Sequence, residues 1–113
     1  MKGKRRESQP GRLRSLPRVE VLTRVVPVAT TLRSRLLGLA MLHRERAGDG
    51  LLIPRCRSVH TFGMRFDLCV VFLDATGRVV DEHPRVGANR IVICPDAASV
   101  LEVPCTHDGG GGR

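Results

Sequence analysis

The sequence predicts an α+β domain: a mostly antiparallel, strongly curved β-sheet or small barrel with one helix at about residues 31–44. Three observations predict it. From His60 to Phe72 every even position is large (His60, Phe62, Met64, Phe66, Leu68, Val70, Phe72), while the odd positions open with Thr61, Gly63, Arg65 and Asp67. Successive side chains of a strand point to opposite faces, so this alternation reads as one long strand with a face on the core. Short β-branched runs separated by Gly, Pro and Asp bring the strand count to five or six. A single stretch repeats at the helical period, too few for the repeated crossovers of a parallel sheet. A ferredoxin-like fold, which needs a second helix, is the alternative.

In chain order, residues 1–17 carry Lys2, Lys4, Arg5, Arg6, Arg12 and Arg14 among Gly and Pro, with few apolar anchors. Such a segment cannot bury enough surface to offset its ordering entropy and reads as a disordered basic tail. Residues 18–104 read as one β-rich domain. Arg18 to Ala29 reads as a strand, ended by Pro27. Thr30 or Thr31 can cap a helix whose stripe is Leu32, Leu36, Leu39 and His43. Residues 47–50 are a turn cluster, and Leu51–Ile53 a short buried strand stopped by Pro54. The long alternating strand follows; beyond Leu68 it is apolar on both faces and should lie inside the sheet. Asp74–Gly77 is a hairpin turn in which Gly77 supplies the positive φ. Arg78–Glu82 pairs back, 83–90 is a loop, Ile91–Cys94 a strand, and Ser99–Val103 the last strand. Residues 105–113 read as a flexible glycine-rich tail.

The net charge of +8 is uneven: residues 1–18 hold seven basic side chains against Glu7, and the remainder twelve basic against ten acidic. The high isoelectric point therefore belongs to the tail. Clustered Lys and Arg suit weak contact with nucleic acid or an anionic surface through Lys2, Lys4, Arg5, Arg6, Arg12 and Arg14. No aromatic interleaves them as a stacking platform. There is no apolar run of membrane-spanning length and no secretory signal, so a cytoplasmic, monomeric protein is expected.

Cys56, Cys69, Cys94 and Cys105 contain no Cys-x-x-Cys pair and read as free thiols that pack as small hydrophobes. Cys56 and His60 together are the raw material of an activated nucleophile, although no acid to orient the imidazole is identifiable. Cys56, His60, Cys69 and Cys94 supply the soft ligands zinc prefers, but His60 and Cys69 have opposite parity on one strand and should point apart. Arg65 and Asp67 share a face and either read a polar ligand or pair with each other. Glu102, between Leu101 and Val103, should face solvent. Phosphate-cradling, Gly-x-Ser-x-Gly and His-Glu-x-x-His motifs are absent.

Three segments carry a resemblance: Arg35-Leu-Leu-Gly-Leu-Ala40, Val59-His-Thr-Phe-Gly-Met-Arg-Phe66 running into Val70–Asp74, and Val100-Leu-Glu-Val-Pro104. In this order the chain resembles the domain-of-unknown-function 192 (DUF192) family of small bacterial and archaeal proteins over about residues 19–104. The resemblance implies a compact β-rich domain with one helix and no established activity, with sugar-like ligands only loosely attached to the fold. Where the family follows Met-Arg-Phe with Pro, an aliphatic residue and Asp, this chain has Asp67, Leu68 and Cys69. Cys105 stands where the family has Gly, and Ala40 where relatives often carry Met.

The expected function is a non-enzymatic binding module without cofactor. Its polar-ligand cleft would draw on Cys56, His60, Thr61, Arg65, Asp67 and Glu102. A Cys/His enzyme or metal-binding protein, and a nucleic-acid adaptor acting through the tail, are the competing classes.

Overall fold

The computed structural model describes residues 11–14, 16–30, 38–40 and 48–105. Among the described residues one helical turn, Gly11–Arg14, precedes eight strands: β1 (Arg18–Val21), β2 (Arg24–Pro27), β3 (Leu51–Pro54), β4 (Ser58–His60), β5 (Leu68–Leu73), β6 (Val79–Val86), β7 (Ile91–Ile93) and β8 (Ser99–Pro104). The helix expected over 31–44 falls outside the described residues except at Gly38–Ala40. These three form a turn, because Gly38 at φ 53° leaves the right-handed helical region.

Four strands form an antiparallel sheet in the order β3-β8-β5-β6. The β1–β2 hairpin is a separate two-stranded sheet that adjoins β3 through a parallel bridge from Val28 to Leu52 and an Ala29 N–H to Leu52 O bond of 2.8 Å. β4 and β7 make a third, two-stranded antiparallel ribbon. Of the two forms expected, a curved sheet or a small barrel, the closed barrel does not form. β6 stays at the edge, and Pro84 within it has no N–H to offer a further strand.

β5 is buried on both faces, as its doubly apolar sequence predicts. Leu68, Val70 and Phe72 join one core cluster with Leu51, Ile53, Val100 and Cys94, while Val71 and Leu73 join a second with Val26, Leu101 and Val103. Cross-strand register orders the second face as a row: Glu82 opposite Val71, Val71 opposite Leu101, and Leu101 opposite Leu52. The sheet is therefore a middle layer between two cores.

The single strand expected from His60 to Phe72 is two strands. Gly63 at φ 79° turns the chain, and Met64 N–H bonds Thr61 O at 3.2 Å. Thr61 anchors this turn. Its fully buried hydroxyl donates to Gly87 O at 2.7 Å and accepts the Arg90 N–H at 2.8 Å, which removes any need for the ladder to continue. Phe72 is fully buried, but Met64 and Phe66, expected beside it, are only half-buried against the first cluster, and Phe62 is exposed. Beyond β5, the Asp74 carboxylate accepts from the Thr76 hydroxyl and N–H and from Arg78 N–H, bonds that hold its carboxyl below the ordinary value. Gly77 at φ 89° completes that hairpin.

Two further segments differ from expectation. Leu13 and Leu16, expected in the solvated tail, are buried in the first cluster, where a Leu16 N–H to Leu13 O bond of 3.2 Å turns the chain just after the helix. Arg18–Ala29 is a hairpin rather than one strand, with Leu22 and Thr23 at φ 50° and 67°. Two positive φ values between paired strands define a type I′ turn, which favours Asn-Gly. Replacing Leu22 by Asn and Thr23 by Gly should raise stability by about 1–2 kcal/mol, since each L-residue with a Cβ loses roughly 1 kcal/mol in this region. Urea melts of the double variant measure it; a loss of stability would mean that the Leu22 side chain contributes more than its backbone strain costs.

Candidate ligand cleft

The opening left by the unclosed sheet is lined on both rims. Leu22 and Arg24 of the β1–β2 hairpin face Glu82, Pro84 and Arg85 of β6 across a cleft of about 440 Å³, floored by Cys69, Val71, Leu101 and Val103 and ended by Pro104 and Cys105. The floor follows from alternation: odd residues of β5 and β8 point to this side. The register puts Glu82 on it too, opposite Val71.

The rims are charged and the floor is apolar. Arg85 donates to the Asp67 carboxylate at 2.6 Å, and both side chains are partly exposed. A guanidinium has five donors, so one bond to Asp67 leaves others for a ligand. The Cys69 thiol lies 3.9 Å from Glu82 Oε2. Burial foremost, then the Glu82 charge, pushes the Cys69 thiol up from its ordinary value despite an opposing effect of Arg24. Cys69 is thus held as a neutral thiol and is a poor nucleophile. The Cys105 thiol donates to Pro84 O at 3.4 Å, and its N–H bonds Asp67 O at 3.0 Å, which ties the end of β8 to the rim.

Of the residues singled out from the sequence, Asp67 reaches the rim through Arg85 rather than pairing with Arg65, and Cys69 lies on the floor. His60 and Arg65 are exposed away from it. The His60 ring stacks on Phe62, with centroids 5.3 Å apart, and its Nδ1 accepts the Phe62 N–H. Cys56 donates to Ser58 O at 3.0 Å and packs against the first cluster. Thr61 is the buried turn anchor. Cys94 lies in the first core cluster, on the opposite side of the sheet from Cys69, so Cys56, His60, Cys69 and Cys94 do not converge. Among the described residues no group of three His, Cys, Asp or Glu side chains is placed to hold a metal ion. Of the basic tail set, Lys2, Lys4, Arg5 and Arg6 lie outside the described residues, as does the Arg12 side chain.

Glu102 is the clearest departure. It is 4% exposed rather than solvated, on the face opposite the cleft, beneath the Gly38–Ala40 turn. A Cβ on Gly38 would stand 3.0 Å from Glu102 Oε1, and one on Gly50, at φ 132°, only 2.6 Å from the Glu102 carbonyl oxygen. Both glycines are required by this close approach. Burial lifts the Glu102 carboxyl to about 7, against a lowering hydrogen bond from the Leu39 backbone. Its Oε1 has no hydrogen-bond partner among the described residues.

The sequence does not single out Arg24, Glu82 or Arg85, and marks Cys105 only as a packing thiol. The signal that could have found Arg85 is Pro84: within the segment 83–90 expected to be a loop, it marks an edge strand that continues to Val86.

The model of the DUF192 family, described as "Uncharacterized ACR", matches residues 17–106. The chain belongs to the DUF192 family. No curated protein matches the sequence. Two solved structures share the DUF192 chain's fold. One, from Sinorhizobium meliloti 1021, is described as a "putative transcription regulator". It is 19% identical, with a TM-score of 0.61 over 84% of this chain and 83% of that one. The other, a protein of unknown function from Novosphingobium aromaticivorans DSM 12444, is 16% identical, with a TM-score of 0.57 over 84% and 76%. Among the described residues no helix is long and apolar enough to cross a membrane.

Proposed function

We propose that this DUF192 domain is a binding module that takes a small polar ligand in the cleft between the β1–β2 hairpin and β6. The observation that carries this reading is the convergence of Arg24, Arg85 and Glu82 over an apolar floor. Ligand sites are commonly concave and mostly apolar, with a few polar groups placed to orient the ligand. Two guanidiniums and one carboxylate suit a compact molecule with hydroxyl groups beside an anionic group, such as a sugar acid. The apolar floor would take the face of its ring. The neutral Cys69 thiol, and a Cys56 thiol that donates to Ser58 O rather than to an imidazole, favour binding over nucleophilic catalysis.

Titration of the full chain with sugars, sugar acids and nucleotides, followed by backbone amide NMR, tests this. A true ligand should shift the amides of Arg24, Cys69, Glu82 and Val103 together. Arg24→Ala should weaken it by about tenfold or more, since hydrogen bonds to charged groups contribute about 1.5–3 kcal/mol. A ligand whose affinity is the same in Arg24→Ala and Glu82→Ala binds elsewhere, and the reading fails.

A further inference from the structure

The two rims of the cleft are held differently. β6 is paired with β5 from Val79 to Val86, whereas β1 and β2 pair with each other and with no other strand among the described residues. Backbone contacts hold the hairpin at its base. Val28 N–H bonds Pro17 O at 2.8 Å, Ala29 N–H bonds Leu52 O at 2.8 Å, and the Val28–Leu52 bridge joins it to β3. Burial falls away from that base: Val26 is fully buried in the second cluster, Val21 is half-buried against it, and Leu22 at the tip is 45% exposed. A segment with few buried contacts and one bonded end moves at low free-energy cost.

The tip carries what closure needs. Leu22 and Thr23 keep positive φ values of 50° and 67°, backbone strain of the kind that clusters at ligand clamps. The Leu22 side chain stands half in water beside an apolar floor, and an inward swing would bury it against Cys69, Val71 and Val103. Charge favours the same motion. Arg24 on the hairpin and Glu82 on β6 face each other across the cleft, and no ion pair joins them among the described residues. Both act on the Cys69 thiol between them, in opposite senses. We infer that the β1–β2 hairpin is a flap that swings about Val28 and Ala29, lays Leu22 on the floor and brings Arg24 to Glu82. The inference rests on the reading of the cleft as a ligand site. A ligand bonded to both Arg24 and Glu82 holds the flap down, and Leu22 then covers the ring face that the floor does not, excluding water from it.

Relaxation-dispersion NMR of the ligand-free full chain, together with a thiol cross-link, decides it. Amides of residues 21–25 should show microsecond-to-millisecond exchange that those of β5 and β8 lack. In Leu22→Cys, oxidation with copper–phenanthroline should join the introduced thiol to Cys69, with the parent chain as control. Leu22 is largely in solvent, so thermal melts should show this variant folded, and the dispersion measurement needs no variant at all. Adding Glu82→Gln should slow the cross-link by about two- to fivefold, the order for one partly exposed ion pair. Each rate is divided by the rate at which iodoacetamide alkylates Cys69 in the same protein, which removes the effect of Glu82 on the thiol itself. A flat dispersion profile across 21–25, no cross-link to Cys69, or a corrected rate unchanged by Glu82→Gln would each overturn the inference. Sugar acids that bind beneath a rigid hairpin would sink the flap alone. A moving, cross-linkable hairpin over a cleft that binds none of them would sink the binding reading and leave the flap standing.

Discussion

Phe72→Ala should unfold the domain or leave it marginal. Phe72 is fully buried at the centre of the first core cluster, flanked across the sheet by Val100 on β8 and Asp81 on β6, with the His83 ring edge-on at 5.9 Å. Truncating a buried Phe removes its transfer energy and leaves a cavity, together about 3–5 kcal/mol. A domain of this size has only about 5–15 kcal/mol of net stability. By contrast, Arg65→Ala at an exposed turn position should stay within about 0.5 kcal/mol of the parent. Guanidinium melts of both variants compare them directly. If Phe72→Ala proves no costlier than Arg65→Ala, Phe72 does not fill the core, the faces of β5 are wrongly assigned and the cleft on its other side goes with them.

The second large effect is in the pH dependence of folding. The Glu102 carboxyl sits at about 7 in the folded protein, and its ordinary value is 4.5. Between these values the folded state keeps a proton that the unfolded chain releases, so each rise in pH favours unfolding. Stability attributable to this group is therefore undiminished below about 4.5, falls through the interval, and is flat above about 7. The total loss is about 3 kcal/mol. Glu102→Gln keeps the shape and cannot ionise. Its stability should exceed that of the parent at pH 8, and the gap should vanish by pH 4.5. Urea midpoints measured across pH 4.5–8 for both proteins provide the check. Parallel curves would mean that water or a cation reaches the carboxylate.

The sheet was readable where local pattern and tertiary setting agree. β5 is apolar at every position but one with a small thiol, so its central place follows, and Asp74 with Gly77 marks the turn to β6 by side-chain chemistry alone. The long alternating run misleads because Met64 and Phe66 touch the core from a turn, keeping the spacing of a strand without its hydrogen bonds; Gly63 was the residue that spoke against it. Alternation placed Glu102 on the side opposite Leu101 and Val103, correctly. What it could not convey is that a turn some sixty residues earlier in the chain, at Gly38, closes over that side. The cleft was hidden for a similar reason. Arg24, Glu82 and Arg85 become neighbours only when the hairpin and β6 meet across the open sheet, and no spacing in the sequence encodes that.

The strand order has a consequence for synthesis. β8 lies between β3 and β5, yet it follows both in the chain. While a ribosome is still making residues 99–104, β3 has no antiparallel partner in this sheet and β5 has only β6. Both would expose apolar edges of the kind that pair with other chains. The domain cannot assemble progressively from its N-terminus; it must wait, and then insert its middle strand last. Nascent chains stalled before Ser99 should accordingly be chaperone clients, and release of β8 from the exit tunnel should be the step that commits the domain to its native topology.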